Sequence, residues 1–304
     1  MVKKIIKSNN ILWSLYIKVW KLQQYIGIKY FYKKYLEYLF NKANGYRLNL
    51  NKPQSLNEKI QWLKIWQRND LIVKCVDKVT VRSFIADAIG EEYLVPIYAV
   101  YESVDNINID SLPNSFVLKT NHSSGQVIIC KDKATVDWRK TKRTLKRWLS
   151  ENFFYISGEW IYKDIKPKII CEKLLDGDIV DYKFMCFHGE PEILFTCSER
   201  DKGLKVTFFD MNFNKLPFIR KYQSADNVKK PEKFQEMIRI AQTLSKDFIF
   251  VRVDFYEENE RVYVGELTFH PGNGMEWFEP VEWDYKLGDL LDLSKVDKRY
   301  VCKN

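Results

Sequence analysis

Arg252-Val253-Asp254-Phe255-Tyr256 and Gly265-Glu266-Leu267-Thr268-Phe269-His270-Pro271-Gly272 set two carboxylates twelve positions apart, on segments that alternate apolar and polar residues. The intervening Glu257-Glu258-Asn259-Glu260 is turn-like, so the pattern predicts a β-hairpin. With an odd-numbered loop, Asp254 faces Glu266, Arg252 faces Thr268, Val253 faces Leu267 and Val251 faces Phe269. One face is then wholly apolar and the other carries Arg, Asp, Glu and Thr. Facing carboxylates repel by up to about 1 kcal/mol unless positive charge lies between them. Mg²⁺ suits such a pair, because it takes one or two carboxylates and leaves its other positions to water and nucleotide phosphates. A solvated pair without metal is the plain alternative.

Two lysines sit in otherwise apolar strand-like runs, Lys119 at the end of Phe116-Val117-Leu118-Lys119 and Lys183 in Asp181-Tyr182-Lys183-Phe184-Met185. Desolvating an ammonium is unfavourable without an anion beside it, so each is either an anion ligand or a solvent-facing strand residue. Lys119 is followed at once by the small-residue loop Ser123-Ser124-Gly125, whose backbone N–H groups can approach phosphate oxygens. No GxxxxGK[ST] or GxGxxG occurs, which excludes a P-loop and a Rossmann phosphate site.

The elements that must position these groups read as a mixture. Residues 1–45 read as helical up to a stop at Asn44-Gly45, and Ser55 with Glu58 forms the capping box of a second helix. Further helices are expected from Asp77 to Gly90, from Asp137 to about Asn152 and over Pro231–Leu244. Strands are expected from Pro96 to Val100, 116–119, 126–130, 168–175, 181–187 and 192–197. This is an α+β pattern without internal repeats. Four stretches follow: a basic, aromatic helical leader (1–45), an N-terminal subdomain (46–115), a nucleotide-lid subdomain (116–185) and a metal-binding catalytic subdomain (186–304).

The chain has 304 residues, 46% of them hydrophobic, which is enough for a sizeable core. Six scattered cysteines without a CxxC pair, and only three histidines, disfavour a zinc site or disulfide framework and suit a reducing, cytoplasmic setting. The net charge of +9 resides in the leader, where residues 1–36 hold eight lysines and no acid, leaving 41 basic against 40 acidic residues elsewhere. No apolar run reaches the length of about 18 residues that spans a bilayer. The leader either lies peripherally on an anionic membrane surface at its inner face or packs on the body with its lysines solvated. No nucleic-acid reader motif is present.

Taken in order, Asp77-Lys78 with Arg82, Phe116 to Lys119, the His122-Ser123-Ser124-Gly125 loop, Cys171-Glu172-Lys173-Leu174-Leu175, Asp181-Tyr182-Lys183, Arg252-Val253-Asp254 and Glu266-Leu267-Thr268 resemble the ATP-grasp superfamily. Within it they are similar to the TupA-like branch associated with teichuronopeptide and other bacterial surface polysaccharides. The resemblance runs from about Leu50 to Leu291, and its specificity lies in the order of seven elements rather than in any one of them.

The resemblance implies a nucleotide held between two α+β subdomains. Lys78 and Lys119 match the lysines on nucleotide phosphates, and Ser123, Ser124 and Gly125 match the loop that closes over them. Glu172, Lys173, Leu174 and Leu175 match the hinge strand that receives the adenine, with Asp176 or Asp178 near the ribose. Lys183 matches a basic residue near the terminal phosphates. Asp254 and Glu266 match Mg²⁺ ligands, with Thr268 where many relatives place an asparagine, and Arg252 matches the arginine that steadies the reacting acyl oxygen. His270 stays open between ligand, base and local hydrogen-bonding residue. The implied cofactors are ATP and Mg, and the implied reaction is carboxylate–amine ligation through an acylphosphate. Its partners would be a uronic acid or other acidic component of a surface polysaccharide and an amine or sugar-linked nucleophile. A phosphotransferase or glycosyltransferase in the same pathway is the alternative, the latter resting on the D-x-D spacing of Asp176 and Asp178.

Overall fold

The computed structural model describes residues 10–177, 179–199 and 203–302. Helix α1 (Asn10–Asn44) leads the chain, with one non-helical residue at Phe31. It stops where Gly45 adopts φ +77° and donates its N–H to Asn41 O at 3.0 Å, the left-handed C-cap that glycine supplies. The expected capping box is present in α2 (Leu56–Trp66): Ser55 accepts from the Glu58 N–H while the Glu58 carboxylate accepts from the Ser55 N–H. The helix expected from Asp77 is shorter. It begins at Val81 as α4 (Val81–Ile89), behind a separate α3 (Asp70–Val76) capped by Asn69.

Two antiparallel sheets carry the chemistry-bearing residues. The first has the order β1 (Ile97–Tyr101), β4 (Ile169–Glu172), β2 (Phe116–Thr120), β3 (Val127–Cys130). One of its faces packs Phe116, Leu118, Ile169 and Cys171 under Leu145 of α5 (Trp138–Leu149). Register places Lys119, Glu172 and Val117 on the other face. The second sheet has the order β10 (Arg261–Thr268), β9 (Phe250–Glu258), β5 (Asp181–Phe187), β6 (Glu190–Ser198), β7 (Lys205–Asp210). Strands cross the expected boundaries: β1 precedes residue 115 yet joins the first sheet, and β5 runs through residue 185.

The short elements α6 (Phe154–Ser157) and the paired strands β8 (Ile219–Arg220) and β11 (Phe278–Glu279) lie outside the two sheets, and the second sheet is covered on both sides. Phe184, Leu194, Val251, Val253 and Phe255 pack against α7 (Phe234–Ser245), while Met185, Phe195 and Phe208 pack with Leu56, Ile60 and Leu63 of α2 and Leu287 of α8 (Glu282–Asp289). Burial on both faces explains the near-continuous apolar runs of β5 and β9, with Lys183, Arg252 and Asp254 as interruptions. Such interruptions are costly unless paired. Cys75, Cys130, Cys171, Cys186 and Cys197 are buried and Cys302 is exposed, which matches the reading of most of them as small buried apolar residues.

Candidate active site

The β9–β10 hairpin pairs Asp254 with Glu266, Val253 with Leu267 and Arg252 with Thr268, the register that the alternation predicts. Its route to that register differs. The turn has an even number of residues, Asn259 and Glu260, both at positive φ (49° and 61°), as a tight two-residue hairpin turn requires. A bulge between Val264 and Glu266 then shifts the ladder by one and restores the facing acids. Gly265 allows it, because a Cβ there would lie 2.6 Å from the Tyr256 ring. Val251, Val253, Leu267 and Phe269 belong to one buried cluster, so the apolar face is as expected.

Positive charge does lie between the two acids, but the chain itself supplies it. The Arg252 guanidinium donates from Nη2 to Asp254 Oδ2 (2.6 Å), Glu266 Oε1 (2.9 Å) and Thr268 Oγ1 (2.9 Å), and from Nε to Asp254 Oδ1 (2.5 Å). Lys183, directly opposite Asp254 on β5, donates to Asp254 Oδ2 and lies 3.4 Å from Asp181 Oδ1. Repulsion between the acids therefore does not call for a metal, contrary to the sequence expectation, since a forked arginine and a lysine already neutralise the pair. Among the described residues, no three His, Cys, Asp or Glu side chains group as a metal site. The donor set still fits Mg²⁺. Glu266 is about one-third exposed at the cavity and presents a carboxylate to it. Asp254 opposite is fully buried, with both oxygens accepting from Arg252 and Lys183. An ion that needs only one or two carboxylates would therefore take Glu266 first and reach Asp254 only in exchange for one of those donors. The Thr268 hydroxyl, expected as a third ligand, instead donates to Glu266 Oε1 at 3.1 Å.

Charge tuning follows from these contacts. Burial opposes ionisation of Glu266, but Lys78, Arg252 and Lys183 outweigh it and hold its carboxyl down to about 2. For Lys183, burial works against the ammonium, and the Asp254 carboxylate overcomes it and raises its pKa. Burial lowers the pKa of Lys78, with Glu266 opposing. Lys78 Nζ lies 4.0 Å from Glu266 Oε2 and donates to Ser123 O at 2.7 Å.

The remaining expected residues fall into a second group. Lys119 and Glu172 pair at 2.7 Å across the first sheet, so two groups expected to meet phosphate and adenine neutralise each other. Lys173 donates its N–H to Pro96 O (2.9 Å) and its Nζ to Glu258 Oε2 (2.6 Å), which ties the hinge segment of Lys173, Leu174 and Leu175 to the end of β9. The Asp176 N–H donates to the same Glu258 carboxylate. Asp178 lies outside the described residues. In the small-residue loop the Ser123 hydroxyl is buried between Thr120 and Gln126, Ser124 lines the cavity, and Gly125 takes φ +76°. His122 is buried with Nε2 3.1 Å from Glu151 O, a packing role.

A cavity of about 620 Å³ opens onto Lys78, Ser124, Arg252, Glu266, Thr268 and His270. Behind it lies a charge group that the sequence reading missed. Lys64 of α2 is fully buried and donates to Asn273 Oδ1 and, at 3.3 Å, to Asn273 O; Glu159 faces His270 Nδ1 at 3.3 Å. Helical spacing from Asn57, Ile60 and Gln61 puts Lys64 on the core-facing side, and that was the available signal. His270 is thus a buried neighbour of Glu159, its pKa lowered by burial against Glu159 and further by Lys64 and Arg68.

Burial brings the Lys64 ammonium down to about 7, with Glu159 opposing. An unfolded lysine titrates near 10.4. The unfolded chain therefore binds the proton more tightly, and the cost of burying Lys64 is complete below pH 7 and relieved as pH rises from about 7 towards 10. We expect urea-unfolding free energy to rise over this window in the wild type and to rise less in Lys64→Met. Parallel pH profiles would refute the assignment.

A family model described as TupA-like ATPgrasp matches residues 58–292, more than three-quarters of the chain. The chain belongs to the TupA-like ATP-grasp family. Its solved neighbours include D-alanine–D-alanine ligase from Bacillus anthracis complexed with ATP, at 14% identity and TM-score 0.41, covering 71% of this chain and 63% of that one. Another is N5-carboxyaminoimidazole synthetase from Staphylococcus aureus complexed with ADP, at 15% identity and TM-score 0.42, covering 71% of this chain and 52% of that one. An L-amino acid ligase from Bacillus licheniformis aligns at 14% identity and TM-score 0.37, over 66% of this chain and 42% of the ligase. The ATP-grasp chain thus spans less than two-thirds of each of these proteins. No curated protein matches it.

Proposed function

We propose that this ATP-grasp protein is an ATP- and Mg²⁺-dependent carboxylate–amine ligase whose acceptor is a uronic acid or other acidic component of a bacterial surface polysaccharide. The observation that carries the reading is the convergence of Lys78, Lys183 and Arg252 on the facing acids Asp254 and Glu266 beside one cavity, in a chain of this family. In this reading the first sheet is the lid over the nucleotide and the second carries the reacting end.

Phosphoryl transfer needs positioning and charge neutralisation more than covalent help from the protein. Lys78 and Lys183 provide ammonium groups beside the acids, and Lys119 becomes available to phosphate once its ion pair with Glu172 opens. Asp254 and Glu266 would hold Mg²⁺, which when bound offsets charge on the terminal phosphates. A substrate carboxylate attacks the γ-phosphate and forms an acylphosphate while ADP leaves. The amine then adds to the acyl carbon, and phosphate departs to leave an amide. Arg252 Nη1, which makes no hydrogen bond among the described residues, is the nitrogen open to the developing oxyanion.

The test has two arms. At a ligand concentration near 100 Kd, ATP with Mg²⁺ is expected to stabilise the protein by about 2.7 kcal/mol, read as a rise in melting temperature. Phosphate release from ATP should then appear with a uronic acid and an amine together. Stabilisation by a nucleotide-sugar instead of ATP would replace the reading with a glycosyltransferase. ATP hydrolysis that yields a phosphorylated product and no amide would replace it with a phosphotransferase.

A further inference from the structure

Two surface features, neither used by the active site, lie next to each other. On α1 the residues Leu15, Val19, Leu22 and Ile26 are 58%, 57%, 58% and 42% exposed. Their 3- and 4-residue spacing stacks them in one stripe along the helix, away from the buried Gln24 and Ile28. Exposed Tyr30, four residues past Ile26, continues it. Lys18, Lys29, Lys33 and Lys34 are exposed in the same segment, and no acid occurs before Glu37.

The second feature corrects the expectation that the basic excess belongs to the leader alone. Helix α5 carries Arg139, Lys140, Lys142, Arg143, Lys146 and Arg147 and no acid. Thr141 and Leu145 face the sheet, five of the six basic side chains are exposed, and none pairs with an acid among the described residues. The near-neutral total of the body hid this segregation. Just beyond α5, Glu151 receives Lys21 of α1 at 2.5 Å, and Tyr25 lies 4.7 Å from the Tyr155 ring, so the helix that bears the stripe abuts the end of the basic helix.

The structure assigns this pair of helices, we propose, as a docking surface for an anionic lipid bilayer. The apolar stripe enters the acyl boundary while the lysines of α1 and the basic face of α5 meet the headgroup phosphates. Charge complementarity selects this occupant. A second copy, seated on the same stripe as a coiled coil, would face lysine with lysine and find no acid to pair with. A soluble polyanion would satisfy α5 but leave the stripe in water. A bilayer satisfies both. The proposal does not depend on the ligase reading.

The test is cosedimentation of the full chain with vesicles of phosphatidylcholine alone or with about one-third phosphatidylglycerol, a charge density at which each surface lysine or arginine adds measurably to binding. Binding to the anionic vesicles only, weakening with salt, is expected. The combined changes Leu15→Ser, Val19→Ser, Leu22→Ser and Ile26→Ser should cut partitioning by on the order of tenfold or more, as should Arg139→Gln, Arg143→Gln and Arg147→Gln together. Both variants alter exposed side chains, and a urea-unfolding midpoint and far-UV circular dichroism equal to those of wild type would show them folded. Absent or equal binding to the two vesicle types overturns the proposal. So does vesicle binding that survives loss of the stripe, which marks a polyanion site. A lipid-free dimer in sedimentation equilibrium that the stripe variant abolishes overturns it in favour of a second copy.

Discussion

Arg252→Ala is expected to destabilise the protein by about 3 kcal/mol or more in urea unfolding, because it removes the partner of a buried carboxylate. Asp254 is 0% exposed, and both of its oxygens accept from the Arg252 fork. With the fork gone, Oδ1 loses its donor, and Lys183 alone answers the charge through Oδ2. Turnover should fall on the order of 10²–10³-fold, the usual cost of losing a donor to a developing oxyanion. Arg252→Lys keeps the charge but not the planar fork that reaches Asp254, Glu266 and Thr268 together, so it should recover part of the stability and little of the activity. Combining Arg252→Met with Asp254→Asn should cost less than the two changes summed, since neither orphans the other. Additivity in that cycle, or an Arg252→Ala protein as stable as wild type, would show that Lys183 holds Asp254 unaided.

The legible part of the site was the part written in period-two alternation. Because β-strand side chains alternate strictly, placing Val253 and Leu267 inward forces Asp254, Arg252, Glu266 and Thr268 onto the opposite face, and only one register does so. What alternation does not encode is how that register is reached. The two-residue turn and the bulge at Gly265 compensate each other, so an odd-loop assumption and the actual even turn give the same facing pairs. The role of Arg252 between the acids was likewise hidden, because a side chain's reach across strands is a property of its rotamer. The Lys119–Glu172 pair joins residues more than fifty positions apart, on strands whose adjacency is set by sheet order rather than by local pattern. The buried Lys64 beside Asn273 belongs to the same class of long-range contact, though its helical position offered a hint. Fold class was read from the alternation of elements, while α3, α8 and the short strands escaped because segments of two to eight residues carry too few periods to register.

Glu266→Gln should behave in the opposite way to Arg252→Ala, leaving the fold nearly intact while abolishing function. Its side chain is about one-third exposed, and the amide keeps an oxygen that can accept from Arg252 and Thr268, so the stability change should stay within about 1 kcal/mol. The charge is what disappears. The acid is held down to about 2 by neighbouring cations against the effect of burial, so in the wild type it is ionised at every pH where the protein is assayed, and no acid limb of activity above pH 4 can come from it. Removing it takes away one of the two carboxylates proposed to hold Mg²⁺, and turnover should drop on the order of 10²-fold or more while the Mg²⁺-dependent part of the ATP melting shift is lost. It also removes the first of the charges that hold up the Lys78 ammonium, whose pKa burial already lowers. The residual activity of the variant should therefore fall off at lower pH on the alkaline side than that of wild type, as Lys78 gives up its proton sooner. An unchanged magnesium response would remove Glu266 from the metal-binding role, and an unchanged alkaline limb would separate Lys78 from the reacting phosphates.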